Sequence, residues 1–162
     1  MRILALVVVM ALFIESKAQE TTTFILIRHA EKVKDNTSDP DLSPEGKQRA
    51  EALATMLERS AIASIYSTNF KRTQQTVLPV AQAKGLAIQT YQHAEINWLQ
   101  KIARENPGKI ILMVGHSNTI PDIANTLLGE KKFEQYPDTL YNQMLVIPYS
   151  EKGKPTVLVL TF

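Results

Sequence analysis

The chain has 162 residues, no cysteine and a formal net charge of +2. At 44% hydrophobic and 21% charged, with six Gly and eight Pro, it has the composition of one folded domain rather than of a disordered or fibrous chain. The lack of cysteine excludes disulfides, Cys-ligated zinc, iron–sulfur clusters and a thiol nucleophile, and the near-balanced charge, with no run of Lys/Arg interleaved with aromatics, argues against nucleic acid as a partner.

Met1-Arg2 is a short positive start, followed by an apolar run from Ile3 to Ile14 and then Glu15-Ser16-Lys17-Ala18. The run is shorter than the roughly 20 apolar residues a membrane-spanning helix needs. A positive start, a short apolar stretch and a small-x-small end at Ser16-x-Ala18 predict a secretory signal peptide over 1–18. A buried strand or an uncleaved anchor is the other reading of this run. The domain is then 19–162, and the expectation is export, to a periplasm or beyond, with no stable membrane anchor after cleavage.

Phe24-Ile25-Leu26-Ile27 is a continuous apolar run, which suits a strand buried on both faces. A polar loop from Glu31 to Leu42 leads to Ser43-Pro44, an N-cap and first residue of a helix with Ala50, Leu53, Ala54 and Leu57 on one face. Ala61–Tyr66 reads as a second strand. A helix from about Asn69 to Lys84 ends at Gly85, and Pro79 is expected to kink or shorten it. Leu86–Tyr91 is a weaker strand. Glu95–Glu105 reads as a helix stopped by Asn106-Pro107-Gly108, Ile110–Val114 as a strongly apolar strand, and Asn118–Leu128 as a helix ended by Gly129. Residues 130–143 are polar and carry no clear period. Leu145-Val146-Ile147 and Val157–Leu160, joined across Glu151-Lys152-Gly153-Lys154, read as a hairpin. Alternating strands and helices followed by two strands predict an α/β fold. Its form is a three-layer α/β/α sandwich with a mostly parallel central sheet and an antiparallel C-terminal hairpin.

Open sheets of this kind bind ligands beyond the carboxyl ends of their strands. Three strand ends carry chemically unusual residues: Arg28-His29-Ala30-Glu31, then Ser67-Thr68-Asn69 with Lys71-Arg72-Thr73 opening the next helix, and Gly115-His116-Ser117-Asn118. Each residue alone has a plain structural reading, a hydrogen-bonded histidine or a solvated arginine. Two arginines and two histidines at matching strand ends instead form a phosphate pocket. A neutral imidazole can attack phosphorus, arginine forks bind phosphoryl oxygens in pairs, and helix starts add N–H donors. No G-x-S-x-G elbow, G-x-x-x-x-G-K-[ST] loop or H-E-x-x-H pair occurs, so no metal ligands and no cofactor are indicated.

These residues resemble the motifs of the histidine phosphatase superfamily, in its phosphoglycerate-mutase-like branch. Arg28-His29-Ala30-Glu31 is similar to its R-H-G-E, and Leu42-Ser43-Pro44-Glu45-Gly46 to its L-[ST]-x-x-G. Ser67 through Thr76 is similar to its S-x-x-x-R-[AT]-x-x-T, and Val114-Gly115-His116-Ser117 to its second-histidine motif. The four occur in order across residues 24–129. The resemblance implies His29 as a phosphorylated nucleophile, with Arg28, Arg72 and His116 on the phosphoryl oxygens and the backbone N–H of Ser117 as a further donor. Thr73 and Thr76 support the helix start. It implies a small, metal-independent phosphatase cleaving phosphoester or phosphoramidate bonds in a phosphorylated small molecule or phosphoprotein.

Two positions depart from the pattern. Ala30 stands where the family has Gly, so the backbone there must avoid a positive φ. The general acid is also open. Glu95 is the nearest candidate, but it equally reads as an acidic residue in a helix's first turn; Glu31 is another, and His93 reads as a surface residue. A missing acid favours substrates with good leaving groups. The alternative from a different class is a phosphate- or phospholigand-binding module on the same fold. A mutase fits less well, because mutases of the family resemble longer chains with extra loops.

Overall fold

The computed structural model describes residues 21–92 and 98–162. The expected signal peptide, Glu95 and His93 lie outside the described residues. Six strands and four helices follow one another as β1 (Thr22–Arg28), α1 (Pro44–Met56), β2 (Ile62–Ser67), α2 (Lys71–Lys84), β3 (Ile88–Thr90), α3 (Trp98–Glu105), β4 (Ile110–Gly115), α4 (Thr119–Leu128), β5 (Gln143–Tyr149) and β6 (Leu158–Thr161). One sheet has the order β3-β2-β4-β1-β5-β6. The β3-β2-β4-β1 part is parallel; β5 runs antiparallel to β1, and β6 antiparallel to β5.

Strand alternation makes the three layers. On β1, Phe24 and Leu26 face one core with Ile111 and Met113 of β4, against α3 (Leu99, Ile102) and α4 (Ile120, Ile123). Ile25 and Ile27 face the other core with Leu112 and Val114, against α1 (Leu53, Leu57) and α2 (Val77, Val80). A period of two on strands buried on both faces requires apolar residues at every position, and those are the runs in the sequence.

Local chemistry sets the helix ends. The Ser43 hydroxyl accepts the Gly46 N–H at 3.2 Å, with Pro44 as the first helical residue. Gly46 is required by close approach, since a Cβ there would overlap the Glu31 carbonyl oxygen. Gly85 and Gly129 end α2 and α4 in left-handed conformation, with φ of 64° and 69°. Of the two effects expected of Pro79, kinking or shortening, shortening does not occur: α2 runs from Lys71 to Lys84 with Pro79 inside it. Its inward face buries Val77, Val80 and Ala81 on both sides of the proline, and this packing outweighs the one helical hydrogen bond the ring removes.

The fold places the site through three coincidences of register. Arg28 pairs with Gly115 and Ser67 with Val114, so β1, β4 and β2 end level with one another. The chain leaves β1 for α1 on one face and β4 for α4 on the other, which opens a crevice between these neighbouring strands. Because β5 is antiparallel and Met144 pairs with Ile27, the segment before β5 arrives at this same end.

Candidate active site

His29 follows β1 directly, its backbone N–H donating to the Gly115 carbonyl at 2.9 Å. The side chain is buried, and its Nδ1 lies 2.8 Å from the Ala30 carbonyl oxygen. A carbonyl only accepts, so Nδ1 carries the hydrogen and Nε2 keeps its lone pair. Burial is the main cause that lowers the His29 pKa to about 3, and the nearby charges of Arg28, His116 and Arg72 push the same way. The ring is therefore a neutral base at ordinary pH. Ala30 is fully buried and donates its N–H to Thr76 Oγ1 at 2.9 Å. Among the described residues no non-glycine has a positive φ, so Ala in place of Gly leaves the backbone unstrained.

The imidazole of His116 stands 5.5 Å from that of His29, edge to face. Its Nδ1 faces Arg72 Nη2 at 3.5 Å, and its Nε2 lies 2.9 Å from Thr68 Oγ1. Guanidinium only donates, which leaves Nδ1 without hydrogen and makes Nε2–H the donor to Thr68. The Thr68 hydroxyl then donates to Thr73 Oγ1, and Thr73 to the Thr68 and Phe70 carbonyls. Burial first, then Arg72 and Arg28, lower the His116 pKa to about 4. Thr73 and Thr76 thus hold ring and backbone in place, as the sequence reading has it.

Arg28 is 4% exposed. Its Nη1 donates to the carbonyls of Pro137 and Leu140 at 2.8 and 3.0 Å, and its guanidinium lies 4.2 Å over the Tyr141 ring. Asp138, almost wholly exposed, is 3.7 Å from Nη2. Nε of Arg28 is buried with no protein partner. Arg72, from the first turn of α2, lies over the Phe70 ring at 4.4 Å and 3.5 Å from Asp39. The structure therefore gathers Arg28, His29, Arg72 and His116. Ser117 adjoins them, its carbonyl accepting the Tyr136 N–H at 2.9 Å.

Sequence reasoning missed the supports. Asp39, Tyr141 and the carbonyls of 137 and 140 come from segments without periodicity. Only the antiparallel placement of β5 brings 137–141 to this end, and no residue pattern announces that placement. Glu31, weighed as an acid, is held by Arg49 through two parallel hydrogen bonds of 2.6 and 2.9 Å. The Arg49 bonds pull its pKa down, although burial opposes them, so it stays a carboxylate and has no proton to give. A cavity of about 780 Å³ opens beside Arg28 and Tyr141, walled by Lys32, Lys34, Pro44 and Asp138. A smaller one of about 350 Å³ adjoins His116 between Phe70 and Tyr91.

The motif pattern of the histidine phosphatase superfamily (branch 1) matches residues 24–98, the stretch that carries His29 and Arg72. Over that stretch the chain is similar to the histidine phosphatase superfamily. Phosphoserine phosphatase 1 of Hydrogenobacter thermophilus is 43% identical over 70 residues, a stretch that spans 40% of this chain and 33% of that protein. This histidine phosphatase fold superposes on the protein histidine phosphatase SixA complexed with tungstate with a TM-score of 0.71 at 18% identity, over 86% of this chain and 96% of that one. It superposes on a phosphoserine phosphatase mutant of Entamoeba histolytica in complex with phosphoserine with a TM-score of 0.66 at 17% identity, over 84% and 94%.

Proposed function

We propose that the chain is a phosphatase that works through a phosphohistidine on His29. The observation that carries this reading is the tautomer of His29: Nδ1–H is committed to the Ala30 carbonyl, so the lone pair is on Nε2. The family relatives named as phosphatases support it. In the first step the Nε2 pair forms a bond to phosphorus, and the bond from phosphorus to the leaving group breaks, its electrons departing with that group. In the second, water attacks the phosphorus, the P–N bond breaks, its pair returns to Nε2, and phosphate is released. Arg28, with a buried Nε lacking a protein partner, and Arg72 offset the charge that spreads over the transferring oxygens. The Ser117 N–H adds a donor to the cradle, and His116 joins it where its Nε2–H turns from Thr68 to a phosphoryl oxygen.

Among the described residues, three carboxyl groups near the site each face an arginine: Glu31 with Arg49, Asp39 with Arg72, Asp138 with Arg28. With Glu95 left as the candidate acid, phosphoramidates, acyl phosphates and aryl phosphates are the favoured substrates, because they leave with little protonation. The wide cavity beside Arg28 suits a broad range of leaving groups, phosphoprotein side chains included. We further propose that residues 1–18 direct export and that 19–162 is the working domain; fractionation of the producing cell tests this, and full-length protein confined to the cytoplasm would overturn it.

The same engaged carboxylates favour a second reading, a phospholigand-binding module without turnover. Hydrolysis of an aryl phosphate by the full chain, with EDTA present, separates the two. Turnover that His29→Ala reduces at least about 10³-fold, with acid-labile phosphate trapped on the wild type alone, supports the phosphatase. Phosphate-dependent thermal protection without turnover supports the binder.

A further inference from the structure

The start of α2 is served from outside the helix. Its N-cap residue, Phe70, makes no side-chain cap bond. Instead Asp39 Oδ1 accepts the Lys71 backbone N–H at 2.9 Å and lies 3.5 Å from Arg72 Nη1. The placement is fixed by neighbours. Asp41 accepts from Gln75 Nε2 at 2.7 Å, and Gln75 Oε1 accepts the Leu42 N–H at 2.8 Å, so residues 39–42 are stapled to the first turn of α2. An anion that bonds an orphan N–H at a helix start and faces an arginine is doing what a phosphoryl oxygen does at such a place. The Asp39 charge also acts on His116, favouring its protonation against the larger effects of burial and the arginines.

We propose that Asp39 is a built-in competitor for the phosphoryl group. It partly neutralises Arg72 and the α2 N-terminus in the empty site, and so sets how firmly the site holds phosphate and how readily the product leaves. Arg28 has a weaker brake, because its hydrogen-bond partners are carbonyls and Asp138, 3.7 Å from it, is almost wholly exposed to water. Asp39 is a positioning residue that acts through Arg72. The inference rests on the phosphoryl-site reading above.

The test is titration of the full chain with inorganic phosphate at fixed ionic strength, for wild type, Asp39→Asn and Asp41→Asn. Asparagine keeps the acceptor for the Lys71 N–H and removes only the charge. The expected result is a phosphate dissociation constant about 5-fold lower in Asp39→Asn, the size of one screened, partly exposed charge near a dianion. Asp41→Asn, which loses a charge that does not touch Arg72, is expected to change it by less than about 2-fold on the same grounds. An unchanged or higher constant in Asp39→Asn overturns the proposal, and so does an equal decrease in Asp41→Asn, which would reveal a general charge effect. A helix-capping role alone would leave phosphate affinity where it was. Should Asp39→Asn fail to fold, Asp39→Ser carries the same expectation. If wild type binds no phosphate, the phosphoryl reading falls and takes this one with it. If wild type binds and Asp39→Asn binds no tighter, this inference alone is overturned.

Discussion

The two arginines of the site are held in opposite ways. Arg28 is locked by two backbone carbonyls and the Tyr141 ring and is almost fully buried. Arg72 is held by a carboxylate, an aromatic ring and an imidazole, and its side chain is 14% exposed. Carbonyl anchors fix a guanidinium without cancelling its charge, whereas a carboxylate anchor fixes it and spends part of that charge. One arginine is thus a permanent wall of the pocket and the other an adjustable one. A buried charge anchored mainly by dipoles, with one exposed carboxylate 3.7 Å away, suits a site whose ligand is itself an anion.

Replacing each arginine should separate the two roles. Arg28→Ala is expected to lower kcat/KM by about 10³-fold, the upper range for losing one fixed donor to a developing charge. It should also lower Tm, because the Pro137 and Leu140 carbonyls lose their partner in a buried place. Arg28→Lys should not restore activity, since an ammonium cannot span both carbonyls and a phosphoryl oxygen. Arg72→Ala is expected to cost about 10²-fold in kcat/KM with little change in Tm. Equal loss of Tm in the two variants would break the comparison.

Acid titration sharpens it next. Both histidines are less basic in the folded protein than the ordinary value of 6.5, at about 3 and about 4. The unfolded chain therefore binds more protons between about pH 3 and 6.5, and stability falls as the pH drops through that window, by up to about 1.4 kcal/mol per pH unit per histidine. Above pH 7 both states hold neutral imidazoles and this contribution is constant. Thermal melts between pH 7 and 4.5 should show the decline, and His116→Gln should make it shallower. An identical slope in that variant would remove His116 from this balance. The smallest effect belongs to Tyr141→Leu. It removes a cation–π contact worth about 1 kcal/mol from Arg28, so kcat/KM should fall about 5-fold, and the same change at Phe70 should affect Arg72 alike.

The candidate site groups were legible in the sequence as neighbours, and the groups that hold them were not. Arg28, His29, Arg72 and His116 lie directly at strand ends or in a first helical turn, so a strand-and-helix reading places them together. Their holders act through backbone carbonyls, as at Pro137 and Leu140, or from loops, as with Asp39 and Tyr141. A carbonyl is present at every residue and marks none. Residues 130–142 carry no period because they form neither helix nor strand, yet they close the Arg28 side of the pocket. A different reason explains why Pro79 does not end its helix: helix propensity is local, and the burial of Val77 and Val80 overrides it. In the hairpin, β6 is the apolar strand that was expected. Leu158, Val159 and Leu160 are nonetheless exposed, because β6 is the last strand of the sheet.

The position of β1 also sets the order in which the molecule can be made. β1 is bonded on one side to β4 and on the other to β5, and both are synthesised long after it. The strand that leads into His29 therefore spends most of translation with two open edges and without its final partners. Contacts this distant along the chain slow the search for the native state, and an open apolar strand invites pairing with another nascent chain. The His29 backbone N–H finds its Gly115 carbonyl only when β4 has docked beside it, and Arg28 is locked only after residues 137–140 have been added. The pocket is thus completed late, rather than built up as the chain grows.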